Sequence, residues 1–300
     1  MGNPIRHLDS ATYYFITSRC IDSEFLLRPD PEVNRTLGEW LVRAQRTTGV
    51  EIVAYVVLGN HFHLLCRAPK RNLDRFVGLF KSQSSRQINR HRGDRRGTLY
   101  QRRYSCEPVL GEGAILDRIL YILSNPAAAL LVNRSEDWPG LISSPQLLHD
   151  EKVSFTLFDR TAWYAAGCPE DRTPYLEEGE LEIALPEFLA RMDPEERTAL
   201  IRKHLEAREA EYRENRLREN RTVMGRARVL AQSPRSRPRS TNRSNRPLCH
   251  AATIETWMAY RYERRLFLAS YREASELYRG GDHEVEFPKG SFPPWVRKVA

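Results

Sequence analysis

The sequence lacks the cysteine pattern of a disulfide framework or of a zinc cluster. Its five cysteines are scattered, odd in number and never arranged as C-x-x-C, which favours a reducing compartment. The sequence also lacks any apolar run near the roughly 20 residues needed to span a bilayer, and its first residues lack an apolar signal core. These absences argue against a secreted disulfide scaffold or a membrane protein, and they predict a cytoplasmic protein with no membrane partner.

Acidic residues are missing from one long segment. Residues 226–250 contain seven arginines and no aspartate or glutamate. The whole chain carries a formal charge of +8 and has a pI of about 9.3. Guanidinium groups suit phosphate oxygens, so the charge favours a nucleic-acid partner. A basic protein without such a partner would have the same composition.

The hydrophobic periodicity predicts an α+β fold. The predicted order is β-α-β-β-α-β-α, the ferredoxin-like split βαβ pattern followed by one further helix. We expect an antiparallel sheet covered by helices on one face, and a last helix that ends where Asn125 meets Pro126, since the residue before proline disfavours the α region. The strands are predicted at Thr12–Arg19, Ile52–Leu58, His61–Arg67 and Thr98–Val109, and the helices at Glu32–Arg46, Arg71–His91 and Glu112–Ser124.

Beyond about residue 145 the composition changes. The charged run 186–220 and the segment 251–278 are predicted to be helical. The Arg-, Ser- and Pro-rich segment 226–250 is predicted to be extended or disordered. We therefore expect two units, a βαββαβ domain over 8–145 and a mainly helical extension over 146–300.

Two histidines follow a tight turn between two apolar strands. In I-V-A-Y-V-V-L-G-N-H-F-H-L-L-C-R-A, the Gly59-Asn60 pair predicts a hairpin. Alternate residues of a strand share a face, so His61 and His63 point the same way. Such a pair can bind one divalent metal from two directions. Two polar residues at the end of a hairpin are the simpler interpretation, but an apolar hairpin leaves them in need of a partner.

The helix predicted over residues 112–124 carries a polar stripe beside its apolar one. Asp117, Tyr121 and Asn125 follow at i, i+4 and i+8, so they share one side of the helix. On spacing alone, Tyr121 fits a core aromatic residue better than an exposed functional one.

Taken together, these motifs resemble a known family. The strand V-V-L-x-N-H-F-H-L-L, the segment L-Y-Q-R-R-Y and the helix I-L-Y-I-L-S-N-P look like the single-tyrosine HUH transposases. These are the insertion-sequence-200-like enzymes, including those associated with repetitive extragenic palindromes. The resemblance covers about residues 8–145. The family often has Trp where this chain has Tyr100, and another residue in place of Gly59.

The resemblance implies a chemistry for the matching positions. His61 and His63 would be metal ligands, with Asn125 as the third ligand for Mg²⁺ or Mn²⁺, and Tyr121 would be the nucleophile. The enzyme would cleave and rejoin single-stranded, hairpin-containing DNA through a 5′-phosphotyrosine link. Among related enzymes both monomers and homodimers occur, so the tyrosine can act within its own subunit or on the partner.

Basic and aromatic residues of the second helix and the fourth strand are expected to flank this site and to contact the DNA. Arginines would follow phosphates while a tyrosine stacks on a base. The candidates are Arg86, Arg90, Arg92, Arg95, Arg96, Tyr100, Arg102, Arg103 and Tyr104.

Two other functions remain open on the sequence. One is a domesticated, non-catalytic nucleic-acid-binding protein on the same fold, which would bind DNA with a strong salt dependence. The other is a metal phosphoesterase that uses the histidines without a covalent intermediate.

Overall fold

The computed structural model describes residues 5–93, 97–101, 103–238 and 247–292. The first part of the chain forms a four-stranded antiparallel sheet in the order β2-β3-β1-β4. This is the strand order of a ferredoxin-like βαββαβ fold, as predicted. Its elements are β1 (Tyr13–Arg19), α1 (Pro31–Thr48), β2 (Glu51–Val57), β3 (His61–Arg67), α2 (Leu73–His91), β4 (Ser105–Leu110) and α3 (Glu112–Ala128).

Helices cover both faces of the sheet, so the prediction of helices on one face was wrong. Helices α1 and α2 pack together over the face that carries Tyr14 and Ile16. Helix α3 packs over the opposite face, which carries Phe15 and Leu65. The prediction failed because it left the second face of the sheet uncovered. An antiparallel sheet can pack on either face, and the two apolar lines of α3 pack on the second one.

Helix α1 shows how local chemistry sets the ends of an element. The side chain of Asp30 accepts a hydrogen bond from the Val33 amide at 2.9 Å, and Pro31 occupies the first turn. Gly49 ends the helix in the left-handed conformation, with φ of 69°. The helix therefore extends past both predicted ends.

Helix α3 continues through Pro126 instead of ending before it. Pro126 lies in the last turn of the helix. The amide of Ala129 still donates to the carbonyl oxygen of Asn125 at 2.9 Å. The expected stop was wrong because a proline removes only its own N–H donor, and the bonds that follow keep Asn125 on the helix.

Strand β4 is shorter than predicted. It begins at Ser105, and before it Tyr100 forms an isolated bridge with Cys20. The aromatic residues in Leu99–Tyr104 gave a strand signal because they are buried, although the backbone there is irregular.

The extension contains strands as well as helices. Strands β5 and β6 form an antiparallel hairpin that packs on α1, and β7 adds to the main sheet parallel to β4. Residues 226–231 form a helix, which corrects the extended or disordered state predicted for that stretch; 239–246 lie outside the described residues. The elements are α4 (Ser144–His149), β5 (Ser154–Phe158), α5 (Arg160–Ala165), β6 (Leu176–Glu180), α6 (Glu187–Ala190), α7 (Pro194–Arg218), α8 (Arg226–Ala231), β7 (His250–Ala251) and α9 (Ile254–Arg279).

The extension shares the cores of the first unit. Leu157 and Leu181 belong to the core under α1 and α2, and Leu189, Ile201 and Val229 belong to the core under α3. The division at residue 145 stays a prediction. Within the described residues, no helix is both long and apolar enough to cross a membrane.

Candidate active site

The two histidines lie at the start of β3, on the sheet face that α3 covers. A two-residue turn precedes them, closed by a hydrogen bond from the Leu58 amide to the His61 carbonyl oxygen at 2.8 Å. His61 pairs with Arg19 across the sheet and His63 pairs with Thr17. The two imidazole rings are 4.8 Å apart between centroids. The structure thus brings the predicted pair together on one face.

The Nδ1 atom of each histidine has a protein partner. His63 Nδ1 lies 2.8 Å from Thr17 Oγ1, and His61 Nδ1 lies 2.7 Å from Asn60 Oδ1. The Asn60 amide nitrogen donates to the carbonyl oxygen of Ser23 at 3.2 Å, which orients the amide oxygen toward His61. An amide oxygen only accepts, so His61 carries its proton on Nδ1 and presents the Nε2 lone pair. Thr17 allows the same tautomer in His63.

Burial keeps both histidines neutral at physiological pH. Desolvation, helped by the nearby positive charge of Arg19, lowers the pKa of His61 to about 3. Desolvation also lowers the pKa of His63 well below its usual value, with smaller contributions from His61, Arg19 and Arg118. A neutral imidazole with a free Nε2 is the form that binds metal.

Tyr121 lies on α3 directly beside this pair. Its ring centroid is 5.5 Å from that of His63 and 5.6 Å from that of Phe15, both edge to face. The Arg118 guanidinium lies over the Tyr121 ring, 4.6 Å from the centroid. Tyr121 and the histidines therefore meet within one chain.

Asn125 lies one helical turn after Tyr121 and is 7% exposed. Within the described part of the chain, its carboxamide makes no hydrogen bond to another group. The described residues contain no group of three or more His, Cys, Asp or Glu that could hold a metal. A site of two Nε2 atoms completed by an amide oxygen fits the donors present, and the engaged Nδ1 atoms match the outer contacts that metal-binding histidines usually have.

Sequence reasoning missed Thr17, Arg118 and Phe15. Phe15 stacks on His63 with centroids 5.1 Å apart, and Arg118 lies 5.6 Å from the Phe15 ring centroid. Alternation along β1 already placed Phe15 and Thr17 on one face. Their contacts with His63 depend on the β1–β3 register, and alternation alone does not predict which residue of β1 lies opposite His63.

Among the predicted DNA-contacting arginines that the structure describes, the two on helix α2 do not flank the histidines. Arg86 and Arg90 are exposed on α2, which packs on the opposite face of the sheet, so their predicted position beside the site was wrong. Arg92 donates to the carbonyl oxygen of Leu26 at 2.8 Å and so braces a loop. Arg103 is half-buried at the edge of β4. Arg95, Arg96 and Arg102 lie outside the described residues.

The two tyrosines predicted to stack on bases have no ring face open to a base. Tyr100 is 0% exposed, packs against Phe62 and hydrogen-bonds with the Ser84 hydroxyl at 3.1 Å. Tyr104 is 9% exposed, and the Arg6 guanidinium covers its ring at 3.8 Å. The stacking prediction was wrong for both because an aromatic residue beside basic ones gives the same signal in a core as on a binding surface.

The ferredoxin-like sheet of this chain sets two neutral histidines against a tyrosine on helix α3. Residues 12–123 match the family model described as "Transposase IS200 like". The matched segment includes His61, His63 and Tyr121 and ends two residues before Asn125. This part of the chain is similar to IS200-like transposases.

Two solved structures are similar to the chain. One is a REP-associated tyrosine transposase bound to a REP hairpin, with 18% identity, a TM-score of 0.40, and coverage of 50% of this chain and 86% of that one. The other is a protein from Deinococcus radiodurans classed as a transposase, with 22% identity, a TM-score of 0.28, and coverage of 41% of this chain and 95% of that one. No curated protein matches the chain.

Proposed function

We propose that the protein is a metal-dependent DNA strand transferase that cleaves and rejoins single-stranded, hairpin-containing DNA. The proposal has Tyr121 as the nucleophile and a 5′-phosphotyrosine as the intermediate. The observation that carries it is the position of the Tyr121 ring, 5.5 Å from His63 in the same chain. This proximity supports attack within one subunit, whereas the homodimer stays a prediction.

In the proposed reaction, the Tyr121 oxygen gives up its proton to solvent and attacks the phosphorus of the scissile phosphodiester. The P–O3′ bond breaks, and the leaving 3′ oxygen takes up a proton. One phosphodiester replaces another, so a 3′-hydroxyl can later attack the link and release Tyr121 without ATP.

The residues around Tyr121 have separate roles in this proposal. Mg²⁺ or Mn²⁺ held by His61, His63 and Asn125 would supply positive charge beside the phosphate. Thr17 and Asn60 hold the imidazoles in the tautomer that offers Nε2. Arg118, which donates to Asp117, lies over the Tyr121 ring and would add positive charge near the phenol oxygen.

The test is formation of a covalent adduct. The purified protein is incubated with Mn²⁺ and a labelled single-stranded hairpin oligonucleotide that includes the DNA flanking the gene, and is then run on a denaturing gel. We expect an adduct with the wild-type protein and none with Tyr121→Phe. Tyr164→Phe is the matched control, since Tyr164 is 60% exposed and belongs to the extension.

Other results would assign another function. Cleavage that persists in Tyr121→Phe without an adduct would indicate a metal phosphoesterase. Salt-dependent DNA binding with no metal-dependent cleavage by the wild-type protein would indicate a non-catalytic DNA-binding protein.

A further inference from the structure

A cavity of about 970 Å³ opens beside His61. One wall is formed by the end of β1 at Arg19 and by the turn before His61, and a second by the residues that directly follow α3. The third wall is the extension, over 220–224, Arg228 and 232–238. These extension residues lie outside the segment that matches the transposase family. One wall of the cavity therefore comes from residues that follow the matched segment.

Hydrogen bonds fix the extension wall on both sides. The amides of Met224 and Gly225 donate to the carbonyl oxygens of Leu130 and Leu131 at 2.8 and 2.9 Å. On the other side, the Phe25 amide donates to the carbonyl oxygen of Ser236 at 3.0 Å. Arg28 donates to the carbonyl oxygen of Gln232 at 3.0 Å. These bonds attach the extension wall to the residues that follow α3 and to the loop after β1.

The charge of the cavity is of one sign. Four arginines line it and, among the described lining residues, none is acidic. Arg237 is paired with Glu24 and Arg221 with Glu219. In the described part of the chain, the guanidinium groups of Arg19 and Arg228 make no ion pair or hydrogen bond. These two cations are available to an anion that enters the cavity.

The rest of the lining is largely apolar. Phe25, Leu58, Leu131, Val223 and Met224 contribute to it. Unpaired arginines beside apolar surface suit a ligand that combines a flat heterocycle with a phosphate. An unpaired nucleotide of a DNA strand has that composition, whereas a duplex hides its base faces in the stack.

The cavity is next to the proposed catalytic centre. His61 lines it, and Arg19 pairs with His61 across the sheet. A strand whose phosphate lies at Tyr121 and His63 can continue past His61 into this space. We propose that the cavity binds unpaired nucleotides that flank the scissile phosphate, with Arg19 and Arg228 on the phosphates and the apolar lining against a base. The role as a flanking-nucleotide site rests on the proposed function.

The test compares two arginines of one short helix. Arg228 lines the cavity and Arg226 does not, although both are exposed on α8. Binding of fluorescent DNA is measured by anisotropy without divalent metal, for a hairpin alone and for hairpins with unpaired flanks of four or eight nucleotides on the 5′ or the 3′ side. Arg228→Ala and Arg226→Ala remove the same charge.

We expect a flank on one side to tighten wild-type binding. Arg228→Ala should lose most of that gain and lower the salt slope of flanked binding by about 0.7 for one lost phosphate contact, whereas Arg226→Ala should keep the gain. Equal losses in the two variants, or no gain from either flank in the wild-type protein, would overturn the proposal.

The two proposals can fail separately. Because binding is measured without metal, an inactive protein can still show the flank effect in the wild type and its loss in Arg228→Ala. An adduct at Tyr121 together with equal behaviour of the two arginine variants would keep the strand transferase and remove the nucleotide site.

Discussion

At the scale of single residues, the orientation of His63 depends on one hydroxyl group. Thr17 Oγ1 lies 2.8 Å from His63 Nδ1, and the tautomer that offers Nε2 to a metal must donate its Nδ1 proton to this oxygen. Thr17 makes this contact from the neighbouring strand. Its role is to position a ligand, and it touches no reacting atom in the proposed reaction.

We expect Thr17→Val to weaken Mn²⁺ binding about 10- to 100-fold, the range typical for loss of an outer contact to a metal-binding histidine. The substitution keeps the shape of the side chain and its suitability for a strand. Calorimetric titration with Mn²⁺ measures the effect, and Thr17→Ser should restore most of the affinity. If Thr17→Val binds Mn²⁺ as tightly as the wild-type protein, the hydroxyl does not set the tautomer.

The sequence predicted the histidine face and the polar stripe of α3 because both follow from the repeat of a regular element. It did not predict which strand lies opposite His63, since register depends on tertiary pairing. It also could not separate a buried Tyr100 from an exposed one. Helix α2 lies on the sheet face that the right-handed βαβ crossover sets. The same rule, applied to the sequence, would have placed Arg86 and Arg90 on the face opposite the histidines.

At the scale of elements, the contact between α1 and β5 ties the extension to the domain. Gly38 lies on α1 under the ring of Phe155, and a Cβ at Gly38 would lie 2.0 Å from Phe155 Cε1. Strand β6, with the sequence LEEGE, gave no strand signal because it is highly charged. Gly179 lies so close to Leu157 and Val42 that a Cβ would clash with both. The close packing of β6 at this position therefore requires glycine.

We predict that Gly38→Ala destabilises the protein, although alanine favours a helix interior over glycine by about 1 kcal/mol. The new methyl group must displace the Phe155 ring, which loosens the packing of the hairpin on α1. Gly78→Ala on α2 is the matched control, since nothing lies within 4 Å of its added Cβ, and it should be neutral or stabilising. Thermal unfolding of both variants measures the difference; equal or higher Tm for Gly38→Ala would show that Phe155 moves at no cost.

At the scale of the whole molecule, the two ends of the described chain meet. The Leu8 amide donates to the carbonyl oxygen of Gly290 at 2.9 Å. The His7 ring stacks on Phe267 of α9, with centroids 4.2 Å apart. Arg264 of the same helix donates to the carbonyl oxygen of Ile5 at 3.3 Å. Together with β7 and α7, these contacts make the extension part of one packed structure.

The stack of His7 on Phe267 makes this junction sensitive to pH. Burial is the largest cause that lowers the pKa of His7 below 6.5. The unfolded chain therefore takes up a proton at His7 more readily than the folded one. The contribution of His7 to stability is full above about pH 6.5 and is lost as the pH falls below it. The charged groups that act on His7 are Asp9, Arg71, Glu263 and Arg264.

We expect His7→Phe, which keeps the aromatic stack but cannot take up a proton, to lose less stability than the wild-type protein between pH 7.5 and pH 5. The measurement is Tm as a function of pH for both proteins, and the comparison cancels the contribution of His61 and His63, whose pKa values are also lowered. His204→Phe is the control, because His204 is exposed on α7. Parallel Tm curves for wild type and His7→Phe would show that the junction of the chain ends does not respond to this proton.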